Sequence, residues 1–172
     1  MQSPNQHSVL SWRLKDADAT LRLFITTFLI VLTIGYSIGL FFVKHTTNST
    51  PQGLAEEYRG TPEGTEATEL KYEKSEDEMY IFLHNHILSL AIVFFLVGGL
   101  FYFSSEVSDS IKKILMAEPV AAIVTTFGGI WLMRFVSEHF SWLVIISGIS
   151  MVGCYFIMVG LMLKELWFPR QN

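Results

Sequence analysis

The sequence predicts an all-α integral membrane protein, an antiparallel four-helix bundle, and three observations carry that prediction. The 172 residues are 51% hydrophobic and only 16% charged, with a mean hydropathy of +0.40, too apolar for an ordinary soluble domain. The apolar residues gather into four runs, and a helix crosses a bilayer core with about 20 of them. The links after the second and third runs are short. Lipid offers the backbone no hydrogen-bond partners, so the runs must be helical, and short links make neighbours antiparallel.

Residues 1–22 read as a short cytoplasmic arm and 23–43 as the first span. Arg13, Lys15 and Arg22 precede that run as a basic region would precede a signal peptide. The run of about 21 residues exceeds the 7–15 of a signal sequence, and Lys44-His45-Thr46-Thr47 lacks a small-x-small cleavage pattern. Residues 44–79 form an extracytoplasmic loop with nine acidic residues against four basic, net −5. Such composition is not expected to build a core of its own, so it reads as a partly ordered loop or a docking surface.

The second span is 80–103, and Ser75-Glu76-Asp77-Glu78 before it fits a capping box. A cytoplasmic link follows at 104–118. The third span is 119–136, with Pro119 suited to a first helical turn and Glu118 to a helix-start acid at the interface. Residues 137–140 make an outer turn, 141–163 the fourth span and 164–172 a cytoplasmic tail. Gly35 and Gly39, Ala121, Thr125 and Gly129, and Ser150 and Cys154 recur at spacings that let helices approach closely. Trp12, Trp131, Trp142 and Trp167 fall near span ends, as interfacial aromatics do.

Charge sets the orientation. The segments that are inside when the N-terminus is inside hold Arg13, Lys15, Arg22, Lys112, Lys113, Lys164 and Arg170; the outer ones hold Lys44, Arg59, Lys71 and Lys74, with Arg134 a fifth if it is counted, a modest bias to which all three inner segments contribute. Both termini are therefore expected in the cytoplasm, in a bacterial inner membrane. A formal charge of −4 without a basic stripe sets nucleic acid aside. The single cysteine, Cys154, excludes an internal disulfide framework and Cys-based zinc or iron–sulfur sites. No phosphate-binding loop, G-x-S-x-G or H-E-x-x-H occurs, and nothing points to an enzyme acting alone. Spans one, two and four lack mid-bilayer charges, which disfavours a pump or voltage sensor.

The histidines are the one constellation with potential chemistry. His7 belongs to the inner arm, while His45 closes span one, His84 and His86 open span two, and His139 sits in the outer turn. The topology brings these four to one membrane surface. His84 and His86 should lie roughly 6–9 Å beyond Tyr80 along the helix, and about 200° of rotation separates them. One is expected to face the bundle, with His86 on the side of small and polar residues. Arg134 lies near the same surface, with Glu138 four residues on at helix-contact spacing.

Three readings stay open. A b-type haem near the outer surface would use imidazoles from different helices, His86 with His45 or His139, and Arg134 on a propionate. A transition metal, copper above all, would use His84, His86, His139 and Met79. In the third reading these are interfacial histidines that bond carbonyls and headgroups or contact a partner.

Tyr58-Arg59-Gly60, Glu78-Met79, His84-Asn85-His86, Glu118-Pro119, Arg134 and Phe140-Ser141-Trp142 together resemble a family of small uncharacterised bacterial four-helix inner-membrane proteins with YRG and H-x-H elements. The resemblance covers roughly residues 55–167. It implies a four-helix membrane fold and an association with cytochrome-rich electron-transfer systems, and it carries no catalytic residue. It also implies that Tyr58, Arg59 and Gly60 belong with the outer histidines, the loop folding back with Gly60 in a tight turn and Arg59 pairing charge. The expected protein is thus a bilayer-embedded subunit with a membrane-protein or cytochrome partner on its outer face, either holding haem b for electron transfer or serving as a structural or assembly subunit without a cofactor.

Overall fold

A computed structural model describes residues 12–62, 64 and 70–168, and these are all helix, turn and loop. His7, Glu63, Glu66, Glu69 and Arg170, used above, lie outside the described residues. The long helices are α1 (Ala19–Thr47), α3 (Glu76–Tyr102), α4 (Asp109–Phe135) and α5 (Ser141–Trp167), with a short α2 (Pro51–Arg59) between the first two. Each long helix is long and apolar enough to cross a membrane; α1 and α5 contain the whole of their apolar runs, and α3 and α4 all but the last residue, Phe103 and Val136. At 27 to 29 residues each measures about 40 Å or more, longer than a hydrocarbon core of about 30 Å.

Contacts run in opposite chain order between α3 and α4 and between α4 and α5, which makes those pairs antiparallel. On α4 and α5, Gly129 meets Val144 and Thr126 bonds Ser147 at 2.8 Å. On α3 and α4, Tyr80 lies against Trp131 while Gly98 lies against Met116. Helix α5 is the hub. It packs on α4 over the greatest length, on α3 through Phe94 and Tyr155, and on α1 through Tyr36, which stacks on Tyr155 at 4.2 Å. Thr33 Oγ1 and Tyr155 Oη share a 3.1 Å hydrogen bond in that last contact.

The end of the bundle that carries the N-terminal arm is tightly closed. The arm docks through a 3-10 turn, Leu14–Asp16, whose Leu14 is wholly buried and donates its N–H to the Phe103 carbonyl. Glu165 near the end of α5 is 1% exposed. Its carboxylate accepts from Ser104 Oγ at 2.5 Å, from Ser105 N at 2.9 Å and from Ser105 Oγ at 2.7 Å. A buried carboxylate is tolerated only with its lone pairs satisfied, and here it ties α5 to the α3–α4 link.

Two expectations are corrected by α4. The helix begins at Asp109, so Pro119 lies inside it and not in its first turn. The missing Pro N–H leaves one ladder bond unmade, and burial of Pro119 among α4's core-facing residues holds the helix through that point. Glu118 is likewise no helix-start acid: it lies within the helix beside Cys154 of α5, and one of its oxygens is buried without a hydrogen-bond partner among the described residues.

Candidate functional site: the cap over the bundle

At the opposite end the acidic loop holds the short helix α2, which packs its buried face on the core of the bundle. Helix α1 ends as Asn48 and Ser49 take left-handed conformations, φ 52° and 56°. Thr50 then caps α2, accepting from Gly53 N at 3.0 Å, and Pro51 takes the first helical position. Gly53 is required by close approach, since a Cβ there would sit 2.1 Å from the Thr47 carbonyl oxygen. Leu54 and Ala55 bury the inner face of α2 against the bundle.

After α2 the chain turns at Gly60, φ 85°, a conformation open to glycine. The segment from residue 70 returns beside it: Thr61 N donates to Lys71 O at 2.9 Å and Lys74 N to Tyr58 O at 2.9 Å. Lys71 pairs with Glu57 at 3.0 Å and also donates to the Thr46 carbonyl. Ser75 and Glu78 then form the reciprocal capping box that the sequence indicates, opening α3.

Two arginines clamp this cap to the bundle. Arg59 Nη1 donates to the carbonyls of Met133 at 2.9 Å and Arg134 at 3.2 Å, in the last turn of α4. That placement satisfies carbonyls a helix leaves open and sets a cation at the negative end of its dipole. Arg134 reaches the other way, donating Nε to the Lys74 carbonyl at 2.7 Å and pairing with Glu73 at 3.4 Å. The helix-spaced contact of Arg134 with Glu138 is not formed, because α4 stops at Phe135 and Glu138 belongs to a separate 3-10 turn, Glu138–Phe140. Among the described residues Arg59, expected to pair charge, has backbone carbonyls as its partners.

Tyr58 links the cap to α3. Its ring meets Phe82 edge-on at 5.4 Å, and Phe82 in turn contacts His86 at 4.1 Å and Phe127 at 5.9 Å. Burial, and secondarily the neighbouring Glu57 charge, pushes the Tyr58 phenol above its usual range.

The histidines are dispersed around this end. His45, His84, His86 and His139 are all exposed, so neither member of the H-x-H pair faces the bundle axis. The inward seam of α3 is Met79, Leu83, Ile87, Leu90, Phe94, Val97 and Phe101. His84 follows Leu83 and His86 precedes Ile87, which puts one on each flank of that seam. His86 lies at the α3–α4 boundary, 5.5 Å from the Phe127 ring, with Nδ1 2.8 Å from the Phe82 carbonyl. His139 instead lines a groove shared with Arg59 and Trp142. Met79 is wholly buried in the core, so its thioether does not join the exposed imidazoles. Among the described residues, no three His, Cys, Asp or Glu side chains gather as a metal-holding group.

The sequence reading missed the carbonyl clamp of Arg59 and the buried Glu165. A basic residue before a glycine and an acid near a span end are the only local signals of either.

Residues 48–172 match a family described as a transmembrane helical domain. The matched region holds the cap and α3 to α5, with α1 ahead of it. No curated protein and no solved structure matches the chain.

Proposed function

The chain belongs to that family of transmembrane helical domains, and from this premise we propose that it is a non-catalytic subunit of a membrane complex, presenting its cap to a partner at one membrane surface. The observation that carries this reading is the reciprocal clamp of Arg59 on α4 and Arg134 on the cap backbone. It fixes α2 and residues 70–75 in one arrangement on the bundle, as a binding surface requires. The same reading places the cap outside and both termini in the cytoplasm of a bacterial inner membrane, from the lysine and arginine distribution. A reporter fused after Asn172 is then active on the cytoplasmic side. Photo-crosslinking from Gln52 on the exposed side of α2, in intact membranes, yields a discrete adduct. Absence of any adduct from α2 positions, in protein shown to be inserted, contradicts the proposal.

A second reading, a haem b electron-transfer subunit, is favoured by one observation. With His86 Nδ1 donating to the Phe82 carbonyl, Nε2 is the nitrogen left to ligate, the arrangement common for ligating histidines. The described ring contacts of His86 are with Phe82 and Phe127, and His86 would be the residue of this chain that holds the group. A reduced-minus-oxidised haem band in the isolated complex, lost in His86→Ala, supports this reading. A colourless complex from haem-sufficient cells refutes it.

A further inference from the structure

An open groove of about 600 Å³ lies between α2 and the α4–α5 turn, with charges of both signs on its walls. Arg59 offers the guanidinium N–H groups that the α4 carbonyls do not take, since only Nη1 bonds them. Glu56 and Glu138 face the same space, and neither is buried. Glu56 accepts one bond from Gln52 at 3.0 Å, and Glu138 makes no ion pair among the described residues. Trp142, the second residue of α5 and 59% exposed, closes the groove on the side where the apolar helix begins. From Trp142 an exposed apolar stripe continues through Ile146 and Ile149 along α5.

We propose that this groove binds the headgroup of a zwitterionic phospholipid that carries a primary ammonium. The phosphate meets Arg59, the ammonium meets the carboxylates of Glu56 and Glu138, and an acyl chain follows the Trp142, Ile146 and Ile149 stripe. Two carboxylates against one guanidinium disfavour a headgroup of net negative charge. A quaternary ammonium has no N–H to give them. The indole at headgroup level and the stripe below it favour a lipid over a free zwitterion. This ligand goes beyond the partner reading, because the site is complete within one chain.

Native mass spectrometry of the full chain, delipidated and then titrated with phosphatidylethanolamine, phosphatidylcholine and phosphatidylglycerol of identical acyl chains, tests it. Phosphatidylethanolamine is expected to be retained roughly fivefold better than the other two, the factor that about 1 kcal/mol of exposed ion pairing provides. The Glu56→Gln, Glu138→Gln double variant removes that preference while its melting temperature stays unchanged, and free glycerophosphoethanolamine fails to displace the lipid. Equal retention of the three lipids, an unchanged preference in the double variant, or displacement by the free headgroup each overturns the proposal. None of these outcomes depends on whether a protein partner binds the cap.

Discussion

Arg59 Nη1 lies 2.9 Å from the carbonyl oxygen of Met133, 74 residues along the chain, and this bond is one of those that join the cap to the end of α4. Arg59→Ala is expected to lower stability by about 1.5–2 kcal/mol, the lower part of the range for hydrogen bonds to a charged group. Arg59→Lys should restore only part of it, because an ammonium lacks the planar fork. Thermal melts of the detergent-solubilised variants measure both.

Gly53 supports the same cap from its other end. With a Cβ placed 2.1 Å from the Thr47 carbonyl oxygen, Gly53→Ala must push α2 away from the end of α1. A loss of roughly 1–3 kcal/mol is expected. Limited proteolysis should show new cleavage in the α1–α2 connection while the bundle stays protected.

Glu165 gives the corresponding test at the arm end. Glu165→Leu strips Ser104 and Ser105 of their acceptor in a buried place, at an expected loss of about 3 kcal/mol. Glu165→Gln keeps acceptor capacity and should fall between that variant and the parent. The reading is the midpoint of unfolding in denaturing detergent.

Tyr58 sets a pH dependence with a definite sign. Its phenol is raised in the folded state by burial and by Glu57, above an unfolded value of about 10. The unfolded state therefore loses its proton first. The stabilisation is fully present below about pH 10 and is lost as pH rises through the folded value. Melting temperature should fall above about pH 10, and Tyr58→Phe should reduce that part of the fall.

The four spans and the Ser75–Glu78 capping box are legible in the sequence because both are local: apolar run length and a three-residue spacing. The start of α4 is not, because Asp109 to Glu118 holds two lysines and two acids ahead of a proline, a pattern that reads as a polar link. Burial of Lys112 and Leu115 in the helix is a tertiary fact. The cap is hidden for the same reason. Its order comes from two arginines that find backbone carbonyls 60 or more residues away, and charge counting cannot show a backbone partner. The histidines share an end of the molecule as the topology implies, yet their rings have different neighbours, because helix rotation and not depth decides which residues meet.

Hydrogen–deuterium exchange of the cap tests the partner reading most directly, comparing native membranes with the purified chain in nanodiscs of the same lipids. Amides of α2 and of residues 70–75 are predicted to exchange more slowly in the native membrane, where the partner covers them, while α4 and α5 exchange alike in both. Equal exchange of the cap in the two settings would contradict the account.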